Sequence, residues 1–196
     1  MRVQLMKIEC DSAMRRSLLV KIVTRLVLCG SGVVLSMSAS GQIPSTTGAL
    51  PLSLAMDAAT ETIRVCEAKG FRVNVAIVDP DGVIKLQARG DGSPIHSQGF
   101  SFRKAYTIMS MGPMIGADTN SALIKMITGF SPGLPATASS GTSNLLFLPG
   151  SVLVKQNGQA IAAIGVSGAP KSADDEVCAQ AGVDKIKSRL IDTTQN

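Results

Sequence analysis

One histidine, one tyrosine and no tryptophan occur in the 196 residues, and that scarcity removes whole classes of chemistry. Any mechanism that needs two imidazoles is excluded within one protomer. With four cysteines, no C-x-x-C pair and a single histidine, a structural zinc site has no ligand set. A nucleophile elbow of the form G-x-S-x-G is missing, and Gly165-Val166-Ser167-Gly168 fails that spacing. Neither a G-x-x-x-x-G-K-[ST] loop nor a G-x-G-x-x-G turn occurs, so nucleotide binding has no motif behind it. Charge of one sign is also lacking where it would matter. The formal net charge is +5, but residues 1–41 hold six Lys/Arg against two Asp/Glu, and the remainder holds thirteen against twelve. A near-neutral body with no basic stripe interleaved with aromatics gives nucleic acid no electrostatic footprint.

The basic excess reads as a targeting segment. Arg15, Arg16, Lys21 and Arg25 precede the apolar stretch Leu26–Leu35, and the small residues Ser36 to Gly41 follow. That is the order of a secretory signal peptide over residues 1–41, with cleavage near Ala39–Gly41 and translation starting at Met1 or Met14. The apolar stretch is too short to span a bilayer, so the mature form is expected to carry no stable membrane span. The expected location is periplasmic or secreted. Export would remove Cys10 and Cys29 and leave Cys66 and Cys178, and two thiols in an oxidising compartment tend to pair.

Residues 42–51 read as a Pro/Ser/Thr/Gly linker, and 52–192 as one domain. Within it, Ser53 is the expected cap of a helix to about Lys69. Arg72–Asp79 and Val83–Arg89 form an antiparallel hairpin around Pro80-Asp81-Gly82. A loop over Gly90–Gln98 leads to a helix from about Gly99 to Met109, broken by Gly112, Pro113 and Gly116. Asp118 is the expected cap of a further helix to about Thr128. A long Gly/Pro/Ser/Thr loop over Phe130–Asn144 precedes strands at Leu145–Leu148, Ser151–Gln156 and Ala160–Val166. A last helix runs from about Ala173 to Ile191, with Ser172 as cap and Asp174, Asp175 and Glu176 facing its dipole. The sum is an α+β domain whose largely antiparallel sheet of about five strands is flanked by helices.

Three blocks carry a resemblance. They are Asn157–Gly182 (NGQAIAAIGVSGAPKSADDEVCAQAG), Val75–Gly82 (VAIVDPDG) and Arg89–Thr107 (RGDGSPIHSQGFSFRKAYT). In order and spacing they resemble the GlcG/HbpS-like haem-binding family, over roughly Leu52 to Leu190. Pro149-Gly150-Ser151 stands where the family commonly has P-G-G. The resemblance implies a profilin- or PAS-like layered fold, haem or a related tetrapyrrole as ligand, and a homo-oligomer. It also implies terminal helices side by side on one face of the sheet, where a Cys66–Cys178 bridge would close a loop of about 110 residues. The alternative is two separate buried thiols acting as small apolar residues.

His96, the one imidazole, becomes the candidate iron ligand, because histidine is a common axial ligand of haem. Arg89, Arg103 and Lys104 are candidates for the propionates. Ile95, Phe100, Phe102, Ile108 and Met109 could cover a porphyrin face, and Met109, Met111 or Met114 could supply a sixth ligand. The implied role is haem capture, buffering or sensing. Two other readings stay open: a small-molecule enzyme acting on an organic acid or cofactor fragment, with Lys104 or Asp91 as polar catalyst, and a non-catalytic oligomeric accessory module.

Overall fold

The structure is a computed structural model, and it describes residues 48–140 and 144–190. The signal segment over 1–41 and the start of the linker lie outside the described residues. The described residues belong to one compact unit.

Pro51 precedes the first helix, α1 (Leu52–Ala68), and its carbonyl accepts the Ala55 amide. The expected Ser53 cap is thus already inside the helix. Strands β1 (Asn74–Val78) and β2 (Ile84–Arg89) form the expected antiparallel hairpin. Asp79 holds its turn, since Oδ1 accepts from the amides of Asp81 and Val83. Gly82 sits there at φ 76°, and a Cβ on it would meet the Tyr106 ring at 2.8 Å.

Helix α2 (Ser97–Ile115) is longer than the glycines and proline suggested. Gly112 and Pro113 fall in its last turns and do not end it. A side chain at Gly112 would strike the Ala117 carbonyl at 2.6 Å, so the glycine serves close packing. Gly116, left-handed at φ 79°, ends the helix, and the amides of Gly116 and Ala117 both donate to the Gly112 carbonyl.

Helix α3 (Asn120–Phe130) is capped by Thr119, not Asp118: the Thr119 hydroxyl accepts from the Ala122 amide at 3.1 Å. Part of the expected long loop is a short helix, α4 (Leu134–Ser140). Strands β3 (Ser151–Gln156) and β4 (Gln159–Ser167) meet at Asn157-Gly158, both at positive φ, as a tight hairpin requires. Helix α5 (Ser172–Ile186) and a 3₁₀ turn over Lys187–Leu190 close the described chain. Lys171 precedes α5, and no side chain caps it.

The sheet has the order β2-β1-β4-β3, and all its neighbouring strands are antiparallel. It has four strands among the described residues because Leu145–Leu148 does not pair as one. Two of its amides go to side chains instead: Leu146 donates to Thr107 Oγ1 at 2.7 Å and Phe147 to Ser139 Oγ at 2.9 Å.

Helices lie on both faces. Strand alternation sends Val75, Ile77, Ile164 and Val166 into one core with Ala58, Cys66, Cys178 and Val183 of α1 and α5. Val78, Leu153 and Ala163 pack on the other face with Ala105, Ile108, Leu123 and Ile127 of α2 and α3. Contact is closest at two glycines. A Cβ on Gly165 would lie 2.1 Å from the Ser101 carbonyl, and one on Gly182 would lie 2.2 Å from Thr62 Oγ1. Cys66 and Cys178 are joined by a disulfide between α1 and α5, their Cα atoms 5.6 Å apart. Among the described residues no helix is long and apolar enough to cross a membrane.

Candidate functional site

Helix α2 positions most of the residues singled out from sequence, and its periodicity divides them. His96, Phe100 and Arg103 follow one another at four and three positions, so they share a face. His96 is exposed at the start of the helix, and its ring meets Phe100 edge-on with centroids 5.4 Å apart. Ile95 beside it is 86% exposed, unusual for a side chain of that size. Farther down the same face, Arg103 Nη2 donates to the carbonyls of Ser139 (2.9 Å) and Leu145 (2.7 Å), while its Nε is buried without a partner.

Arg89 ends β2 and holds the loop before α2, donating from Nε to Ser93 Oγ and from Nη2 to the Ser93 carbonyl. Asp91 is exposed in that loop.

Lys104, one position on from Arg103, points elsewhere. Its side chain is 1% exposed, and Nζ donates to Asp175 Oδ2 at 2.7 Å and to the Val166 carbonyl at 3.0 Å. Burial pushes Lys104 below its ordinary range, against the opposing pull of Asp175; burial likewise pushes Asp175 up, against the pull of Lys104. Gly150 makes room for the contact, since a Cβ there would lie 2.7 Å from Nζ. The neighbouring Glu176 accepts from the amides of Ser121 (3.1 Å) and Gly150 (3.0 Å), and Asp175 Oδ1 accepts from the Ala169 amide. Asp175 and Glu176, near the start of α5, therefore fasten α2 and α3 to the opposite layer. The sequence offered only their role at the helix dipole, because partners 55 and 71 positions away leave no local signal.

The remaining expected lining residues separate in the same way. Ile108 is fully buried and Met109 nearly so, and Phe102 packs on the same core, so these three belong to the interior. Met111 packs there too, whereas Met114 is 85% exposed near the end of α2. Close to that end lies a cleft of about 550 Å³, lined by Pro80, Met109, Pro113, Lys155, Gln159 and Ile161 among others. It holds no histidine, and the thirteen-residue rise from His96 to Met109 sets the two about 20 Å apart.

Residues 50–184 match the family described as "Haem degrading protein HbpS-like". The chain belongs to this HbpS-like family. Among solved structures, HbpS is 33% identical, with 74% of this chain and 94% of HbpS covered at a TM-score of 0.62. A double mutant of Streptomyces reticuli HbpS is 31% identical over 78% of this chain and 97% of its own, at the same TM-score. A complex of PduOC with haem, at 21% identity, covers 70% of this chain and 95% of PduOC with a TM-score of 0.60, and supports the shared fold. Among curated proteins no sequence matches.

Proposed function

We propose that this HbpS-like chain binds haem or a closely related tetrapyrrole on the open face of α2, with His96 as the iron ligand. One observation carries the reading: the chain's single imidazole is exposed beside exposed Ile95 and the edge of Phe100, where an apolar ring system could lie against it. The donor set fits in part. Arg103 sits on the same face and Arg89 borders the loop, and either guanidinium could meet a carboxylate by exchanging its present carbonyl partners for it. Lys104 does not fit, because its ammonium is enclosed and committed to Asp175. When bound, the haem iron would supply ligand exchange and redox chemistry; the chain's part is to hold it through His96, cover one ring face with Ile95 and Phe100, and neutralise a propionate.

The family description supports a haem-related role and the expected signal segment an exported one; within that reading the chain captures, buffers or senses haem as a homo-oligomer. Haem titration of the purified protein, followed at the Soret band beside His96→Ala, tests the ligand. A saturable shift near one haem per chain, lost in the variant, is expected. Binding that survives the substitution would move the ligand elsewhere, and no saturable binding would favour the enzyme or accessory readings. Light scattering checks the assembly, and sequencing the N-terminus of the secreted form checks cleavage near Ala39–Gly41.

A further inference from the structure

Met109, Gly112, Pro113 and Gly116 recur at intervals of three and four, so they form one stripe along the last turns of α2. All four line the cleft of about 550 Å³. That volume suits a small molecule, and the wall has the matching make-up, with Pro80, Met109, Pro113 and Ile161 apolar and few polar groups among them.

Pro113 adds a hydrogen-bond acceptor to the stripe. Inside a helix the Met109 carbonyl takes the amide four residues on, and a proline at that position has none to give. The proline ring also crowds that carbonyl and turns it away from the helix axis. An oxygen left without its helical donor therefore lies on the face of α2 that borders the cleft.

Charge selects the kind of donor. The last carbonyls of α2 are the negative end of its dipole, and no basic residue stands in its last turn to answer them. The amides of Gly116 and Ala117 both go to the Gly112 carbonyl, leaving the carbonyls after it to other partners. Among the described lining residues Lys155 is the one cation, and it is already paired with Asp118. Asp79 and Asp81 flank the lining Pro80 in the chain.

We infer that the cleft is a second ligand site, for a small molecule with an apolar body and an ammonium group. The body lies against Met109, Pro113 and Ile161, and the ammonium donates to the Met109 carbonyl at the negative end of α2. A carboxylate would have to take Lys155 from Asp118 and face the same dipole. The site stands at the other end of α2 from His96 and is independent of the haem reading.

Three probes of one shape read the preference: phenethylamine, phenethyl alcohol and phenylacetate. Each is titrated at neutral pH into the isotope-labelled protein while the amides of Gly112, Gly116 and Gly158 are followed by NMR. Saturable shifts at these glycines are expected, with the amine bound about tenfold more tightly than the alcohol and the acid weakest. Pro113→Ala returns an amide to the Met109 carbonyl and should remove most of the amine's advantage, in a protein whose thermal midpoint shows it folded. Lys155→Met frees Asp118 at a partly exposed position and should tighten amine binding about threefold. Tightest binding by phenylacetate, no saturable shift at the glycines with millimolar probe, an amine preference unchanged in Pro113→Ala, or weaker amine binding in Lys155→Met would each overturn the assignment.

Discussion

The two faces of the sheet solve different problems with the same strands. Beneath α1 and α5 the core is dry and stapled: apolar side chains from four strands and helices surround a disulfide, and Thr62, tied to the carbonyl one turn back, is a rare polar group among them. Beneath α2 and α3 lie Asn74, Ser97, Ser101, Lys104, Thr107, Asn120, Ser151 and Ser167, all buried. The first face is held by apolar packing and a covalent link. The second spends its polar groups on fixing α2, and the exposed start of that helix is where His96 stands. The difference teaches that one sheet can be closed by apolar packing and a covalent link on one side and by buried polar bonds on the other.

The comparison can be broken most forcefully at the staple. Replacing both Cys66 and Cys178 by Ala releases a loop of 112 residues and is expected to cost about 4–5 kcal/mol in denaturant unfolding, whereas haem binding by the surviving folded protein should change little. An unchanged midpoint would mean that the first face does not depend on its covalent link.

Next comes the lock. Lys104→Met alone strands a buried carboxylate and should cost about 3–5 kcal/mol, and adding Asp175→Leu should recover much of that loss. A double variant no better than the single one would show that the pair contributes more than mutual neutralisation. The pH dependence has a definite sign. Because burial raises Asp175, the native state holds that proton more tightly than the unfolded chain does, so this group's contribution falls as pH rises from the ordinary aspartate range to the raised value. The stability difference between wild type and Asp175→Asn should therefore hold or grow as pH falls from neutrality toward that range, and a collapse there would contradict the assignment.

Much of the architecture was legible because local rules were obeyed. Asn157-Gly158 and Gly82 adopt the positive φ that their turns demand, and the two hairpins follow. The long-range closures left no such mark. Leu145–Leu148 has the composition of a strand, yet its amides answer to Thr107 and Ser139. Arg103-Lys104 reads as one charged pair, but a 100° step along the helix sends one guanidinium to a half-buried face and one ammonium to the interior. His96 and its neighbours were singled out from sequence, and the structure sets His96, Phe100 and Arg103 on one face of α2; that Lys104 belongs to the lock was not legible, because its partner lies on the last helix.

A smaller effect sharpens the contrast between faces. Gly165→Ala should push α2 from the sheet at a cost of about 1–3 kcal/mol, since backbone stands in the way of the new methyl. Gly182→Ala should cost somewhat less, because the Thr62 hydroxyl can turn aside and the backbone in the way, the Ala58 carbonyl at 2.8 Å, stands farther off than the Ser101 carbonyl does from Gly165. Thermal unfolding of the two variants ranks them, and the reverse order would place the tighter packing on the stapled face.

His96→Ala, at an exposed position, is expected to shift stability by no more than about 0.5 kcal/mol. That makes it the cleanest probe of the central claim, and the deciding measurement is the Soret titration of the wild-type protein and this variant under the same conditions. The account predicts saturable binding near one haem per chain in the wild type and none in a variant that remains equally folded. Equal binding by both proteins would contradict it.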